Sequence, residues 1–414
     1  MPSSIHTHSF ENGLVLLVEQ MDWVESAAFS LLLPAGCARE PADRLGLSNF
    51  TCEMVQRGCG VRDSRRFLND LENLGVDHSA AVSIAHTSFG GAMPAEQLDQ
   101  ALPIYADLVQ RPHLPDDQLE DARSVCVQEI RALDDDLPQQ VMFALRRCRY
   151  GDPWGRHSQG TLESLQAVRH ADVQAYHQAY YRPNGAILSV AGNVDFERLR
   201  DRVHTLFAPW RARPEQAPPD SSGTDRMHHI DHPSHQMHLG VAYANVPYSD
   251  PRYYEARAAV GVLSDGMSSR LFTEVREKRG LCYAVYATCH TLRDRGSVFC
   301  YAGTTTDRAQ ETLDVMVAQL RTLRHGIRDD ELARLQARLK STLVMQQESS
   351  AARSGSMAAD WYYLGRVQTL TEVRRLVDGL SSTSINAFLA EHPPSDFTMV
   401  TLGQNKLERP GEIP

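Results

Sequence analysis

Two residues in the second half of the chain could act together on a developing negative charge. Arg276 and Tyr283 stand seven positions apart in RLFTEVREKRGLCYAVY. A guanidinium and a phenol held on rigid elements are two donors that can be aimed at one oxyanion. Arg279 and Tyr286 repeat the spacing and form the alternative pair. The plainer reading is that Arg276 offsets a helix dipole at the surface while Tyr283 packs in a sheet. A second set lies in the first half: Asn49, Cys52 and Glu53 in GLSNFTCEM, and Glu129 in VCVQEIRALDDD. Glu53 and Glu129 could hold a hard cation such as Ca²⁺ or Mg²⁺, which usually takes about six or more oxygens. Cys52, Glu53 and a distant His could make an unusual zinc site. Otherwise Asn49 and Glu53 are a polar helix face lining a cavity.

The elements that must position these groups can be read from local pattern. Leu263–Tyr286 opens with a turn at Ser264, Asp265 and Gly266, residue types suited to capping. A helix is expected over Met267–Lys278, with Leu271, Phe272 and Val275 on one side and Arg276 in its last turn. Gly280 stops it, and the β-prone LCYAVYA follows. Tyr283 and Tyr286 are an odd number apart, so a regular strand would turn only one toward a given cavity. In the first half a helix is expected over Leu47–Arg57, and Glu129 falls on a long amphipathic helix, Asp116–Leu133.

The order of elements repeats. Each half reads strand, helix, helix, strand pair, long helix, long helix, and FTMVTLG near 397–403 mirrors AILSVAGN near 186–193. A repeat of about 200 residues marks duplicated domains and is far too long for a solenoid period. The expected fold is α+β: two homologous sandwich domains, each a mostly antiparallel sheet with helices packed on one face. The stretch 208–227 is dense in Pro, Ser and Gly and reads as a connection. The expected division is 1–212, a linker 213–228, and 229–414.

Composition narrows the function classes. The net charge is −10, which argues against nucleic acid as a main partner, since phosphate binding needs a basic face. The eight Cys show no CxxC spacing, which fits reduced thiols and a cytoplasmic location. MPSSIHTHSFENG has neither a basic start nor an apolar run, and no signal peptide is expected. No run of about 18 apolar residues occurs, so no membrane span is expected. His228, His229, His232, His235 and His238 are irregularly spaced and read as surface or strand-flank histidines. The acidic clusters Asp116-Asp117 and Asp134–Asp136 read as a helix start and a solvated turn.

The RLFTEVREKRGLCYAVY stretch resembles the C-terminal part of the insulinase-like zinc peptidases, the family of pitrilysin and mitochondrial processing peptidase. The resemblance covers essentially the whole chain, including GDPWGRHSQGT and YYRPNGAILSVAGNVD, both of which read as structural. It implies that Arg276 and Tyr283 are the family's Arg/Tyr pair, which reaches into the active site, and in the two-subunit branch into the partner's. It also implies a metal site at HxxEH, two His binding zinc and the Glu acting as base on the bound water, with a downstream Glu as third ligand. Here Asn49 stands at the first His, Cys52 at the catalytic Glu and Glu53 at the second His; Glu129, 76 positions past Glu53, matches the third ligand. One ligand position in three keeps its usual residue, so no metal is expected in this chain.

An Arg/Tyr pair without a zinc site implies half of an enzyme. The expected partner is a homologous HxxEH-bearing subunit carrying the zinc, the two closing like a clamshell. The expected substrate is an extended peptide or unfolded polypeptide. The alternative is a non-catalytic scaffold or peptide-binding homologue, such as a homodimer like the core subunits of a respiratory complex. A self-sufficient peptidase would instead carry stoichiometric zinc.

Overall fold

The computed structural model describes residues 4–215 and 226–411. Apolar runs bounded by turn residues become strands, and the half-polar one, β1 (Ser4–Ser9), lies at a sheet edge. The near-continuous apolar runs β2 (Val15–Gln20) and β3 (Ser26–Leu33) lie inside that sheet. A short ladder, β4 (Gly58–Cys59) with β5 (Arg62–Asp63), stands apart. SAAVSIAHTSFGGAM gives the antiparallel pair β6 (Asp77–Val82) and β7 (Thr87–Pro94). GAILSVAGNV gives β8 (Ile187–Gly192), buried at every residue. The sheet runs β1-β2-β8-β3-β7-β6, with β2 parallel to β8 and its other pairs antiparallel.

The second sheet is built from β9 (Met227–Asp231), β10 (Gln236–Asn245), β11 (Cys282–Thr291), β12 (Gly296–Thr305) and β13 (Thr398–Gly403), in the order β11-β12-β10-β13-β9. β9 is parallel to β13 and the other pairs are antiparallel. Followed from its other end, β9-β13-β10-β12-β11 repeats β2-β8-β3-β7-β6 strand for strand, parallel step included. The expected α+β duplication is therefore present in the topology. In the first copy, Leu16, Phe29, Leu31 and Val190 of the sheet share a core with Phe50, Met54, Leu102 and Tyr105 of the helices. In the second, Leu239, Val241 and Cys300 pack with Leu263, Leu313, Met316 and Val317.

The chain forms two compact units, and neither is contiguous. One comprises Met1–Ala132, Arg156–Asp220 and Met345–Thr369; the other comprises Leu133–Gly155, Ser221–Val344 and Leu370–Pro414. A single cut at residues 213–228 therefore differs from the observed division, because each unit takes one segment from across that cut; most of the expected linker, 216–225, lies outside the described residues. The helix Ser350–Leu364 packs on β2, β3 and β8 of the first unit, covering the sheet face away from the main core. Its buried residues are Ser350, Arg353, Ser354, Met357, Ala358 and Asp360. Small residues let the helix approach closely. Arg353 then donates from Nε to Glu19 Oε2 at 2.6 Å, both side chains about 3% exposed. The helix Leu137–Tyr150, capped by Asp136, packs likewise on β10 and β13 of the second unit. Gly240 permits that approach, since a Cβ there would lie 2.8 Å from Val141 Cγ1.

Candidate functional site

The Arg/Tyr stretch begins at a fixed point. Arg270 forms a two-toothed ion pair with Glu331, Nε to Oε1 and Nη2 to Oε2, both 2.8 Å, and also bonds Gly326 O at 2.9 Å. This anchors the helical turn to the helix Asp329–Gln346. The expected helix Met267–Lys278 is shorter than read: residues 265–269 are turn and bend. Phe272–Glu277 then wind as a π-helix, with Lys278 N–H reaching back five residues to Thr273 O at 2.9 Å. Gly280, at φ +56°, releases the chain into β11.

At the end of this turn the Arg276 guanidinium lies between two rings. It sits 4.8 Å from the Phe272 centroid and 5.4 Å from that of Tyr283. Such stacking is worth about 0.5–1 kcal/mol at an exposed site, enough to orient a guanidinium without consuming its N–H donors. Among the described residues Arg276 has neither an ion pair nor a hydrogen bond from its side chain. Arg279 is spent instead, bonding Glu274 Oε2 and Glu274 O at 2.7 Å each. Of the two pairs with this spacing, the structure brings together Arg276 and Tyr283.

A β-bulge changes the arithmetic of the strand. Cys282 pairs with Thr304 and Ala284 with Gly303, leaving Tyr283 as the extra residue. Cys282 and Ala287 join the core and Val285 packs against it, while Tyr283 is 86% and Tyr286 39% exposed. The expectation that only one tyrosine could face a given side assumed regular alternation, which the bulge breaks. Tyr286 is backed by Tyr301 at 5.3 Å, and Tyr301 is held by His238 Nδ1 at 2.8 Å. His238 is thus buried, unlike the surface or strand-flank position read for the histidine tract. Among the described residues β11 is an edge strand, paired only with β12.

The second residue set lies in the first unit. Asn49, Cys52 and Glu53 share the helix Leu47–Val55, and Glu129 projects from the helix Leu119–Asp134. The Asn49 amide donates to Glu129 Oε2 at 2.6 Å. Arg57, one turn beyond Glu53, donates from Nη2 to Glu53 Oε1 at 2.8 Å. Burial pushes the Cys52 thiol far above its ordinary range, and the nearby Glu53 carboxylate adds to this. The Cys126 thiol is pushed up to about 12, chiefly by burial and then by Glu129. The family's zinc would find here an amide, a neutral thiol and two carboxylates already engaged. This donor set does not fit the metal, since the imidazole pair is gone and the Arg57 guanidinium occupies the charge role beside Glu53. The same engagement disfavours a hard cation between Glu53 and Glu129. Among the described residues no group of three or more His, Cys, Asp or Glu side chains is placed to hold an ion.

Two residues around this helix escaped sequence reasoning. Arg57 was detectable, standing four positions after Glu53, the spacing of an intrahelical ion pair. Glu40 had no local signal. Gly46 occupies the N-cap at φ +88°, where a Cβ would lie 2.6 Å from Gln159 O, so the cap has no side chain of its own. Glu40 supplies one from a distance: Oε2 accepts Gly46 N–H at 2.9 Å, and Oε1 accepts Ser48 N–H at 2.8 Å and the Ser48 hydroxyl. Burial raises its carboxyl to about 7.

Comparison with known proteins places this architecture. The model for insulinase (peptidase family M16) matches residues 15–157, and the model for the peptidase M16 inactive domain matches residues 167–339. The chain belongs to the M16 peptidase family. Among its M16 relatives, the uncharacterized zinc protease YmxG of Bacillus subtilis is 24% identical, covering 96% of this chain and 98% of that protein. The uncharacterized zinc protease of Rickettsia felis is also 24% identical, covering 98% and 99%. A crystal structure of a peptidase M16 inactive domain from Pseudomonas fluorescens has the same fold, with TM-score 0.90 at 21% identity over 98% of this chain and all of that one. A protease from Helicobacter pylori superposes with TM-score 0.87 at 20% identity, over 97% of this chain and all of that one. Among the described residues no helix is long and apolar enough to cross a membrane.

Proposed function

We propose that this M16 chain is the non-zinc-binding subunit of a two-subunit metallopeptidase. It supplies Arg276 and Tyr283 to a homologous HxxEH-bearing subunit. The observation that carries this reading is the guanidinium of Arg276, stacked between Phe272 and Tyr283 and left without an ion-pair partner among the described residues. An exposed arginine in a protein rich in carboxylates ordinarily finds one, as Arg279 does three residues later. Here the free N–H edge and the exposed phenol remain available to a ligand. Their chemistry suits a peptide carbonyl that becomes a tetrahedral oxyanion while the partner's zinc-bound water attacks.

The position of Tyr283 supports an extended peptide or unfolded polypeptide as substrate. It projects from an edge strand, where unpaired backbone groups can accept another strand through main-chain bonds with little demand on sequence. The first unit gives the complementary half of the argument: Asn49, Cys52, Glu53 and Glu129 lack the donors to activate water themselves. The partner therefore carries the zinc, and this chain alone is inactive. The test is to purify the chain and the HxxEH-bearing homologue from the same host, separately and mixed, and to measure cleavage of an unstructured peptide. Cleavage only by the mixture supports the assignment. Equal cleavage by the homologue alone contradicts it and returns this chain to a scaffold role.

A further inference from the structure

A guanidinium elsewhere in the second unit also forms no ion pair among the described residues, and it is less solvated than Arg276. Arg149 lies near the end of the helix Leu137–Tyr150 and lines a cleft of about 670 Å³. The cleft is formed within this unit by Arg226, Arg295, Ser297 and Ser395, and by the carboxylates of Asp294, Glu391 and Asp396, among others. Arg149 donates from Nε to Ser297 Oγ at 3.2 Å, and no carboxylate pairs with it among the described residues. The other two arginines of the cleft are already matched: Arg226 with Asp396 at 2.6 Å, and Arg295 with Asp294 at 2.8 Å. Burial lowers the Arg149 pKa, and the nearby Tyr150 and Asp396 offset this only in part. Arg149 is half-buried, and a partly desolvated charge gains from a counter-ion.

We infer that this cleft binds a small oxyanion, carboxylate or phosphate, on Arg149. With Nε committed to Ser297, the Nη1 and Nη2 atoms form the remaining edge of the guanidinium. Two parallel N–H donors on that edge match two oxygens of a carboxylate or phosphate. Ser297 holds the fork in plane. Arg226 is matched by Asp396, Arg295 by Asp294, and the third carboxylate of the rim, Glu391, by Arg252 behind it, so a single anionic group is accommodated and a polyanion is not favoured. The Arg149 site does not depend on the role assigned to Arg276 and Tyr283.

The experiment is isothermal titration calorimetry on the full-length chain in low-salt buffer, with inorganic phosphate in one arm and succinate in the other. Saturable one-to-one binding of either probe supports the site, and the tighter probe identifies the ligand class. Arg149→Gln should weaken that binding at least tenfold, and Arg149→Lys should weaken it less, keeping the charge but losing the fork. If Arg149→Gln does not fold, Ser395→Glu serves, since it places a carboxylate in the cleft while sparing the guanidinium. It should abolish binding of the added anion. Binding of neither probe at millimolar concentration would overturn the inference. So would binding left unchanged by Arg149→Gln or Ser395→Glu.

Discussion

Replacing Glu40 with Gln tests how the helix bearing Asn49, Cys52 and Glu53 is held. Glu40 is 5% exposed and receives the Gly46 and Ser48 backbone N–H groups in place of an N-cap side chain. Burial dominates its environment and raises its carboxyl from an ordinary 4.5 to about 7, despite the Ser48 and Gly46 bonds and the nearby Arg156. The sign follows from the folded value lying above the unfolded one. The contribution to stability is fully present below pH 4.5 and is lost as pH rises through 7. Raising a pKa by one corresponds to about 1.4 kcal/mol, so the full loss is about 3 kcal/mol, of which roughly 2–3 kcal/mol falls between pH 5 and 8. The amide introduced by Glu40→Gln cannot ionise, so wild type should lose stability relative to the variant by that amount over this range. Urea unfolding followed by tryptophan fluorescence at pH 5, 6, 7 and 8 measures it, because groups common to both proteins cancel. A difference that stays flat with pH would refute the argument that the buried carboxyl titrates there.

Other expectations follow from the same contacts. Asn49→His, Cys52→Glu and Glu53→His rebuild HxxEH opposite Glu129, and adding Arg57→Gln removes the competing guanidinium. This variant should hold about one zinc per chain by elemental analysis, while the parent, dialysed alongside, holds none; stoichiometric zinc in the parent would contradict the reading of its donors. Arg353→Met alone should cost about 3–5 kcal/mol by stranding Glu19. Glu19→Leu with Arg353→Met should recover most of that, and equal losses in single and double variants would show that the ion pair is not the cause.

The duplication was legible because apolar runs and turn residues repeat in order, and the equivalence of FTMVTLG with AILSVAGN survives as that of β13 with β8. Exchange of segments between the units was not. The helix Ser350–Leu364 buries serines, an arginine, an aspartate and an alanine with Met357 as its long apolar member, a pattern with little amphipathic contrast. Its partner Glu19 is 334 positions away, beyond any local rule. At the candidate site, the types and spacing of Arg276 and Tyr283 were readable. Choosing between them and Arg279 with Tyr286 needed Glu274, which takes Arg279, and the bulge that turns Tyr283 outward. The π-helical turn likewise leaves no signature in residue type. Glu40 was invisible for the opposite reason: it caps a helix whose own N-cap is a glycine chosen for its positive φ.

The most direct test of the division of labour is turnover by the reconstituted pair. Arg276→Ala and Tyr283→Phe in this chain should each lower kcat for peptide cleavage by about 10²–10³ when mixed with the wild-type HxxEH-bearing homologue. Asn49→Ala should leave kcat unchanged. Full activity with both Arg276→Ala and Tyr283→Phe in place would contradict the account.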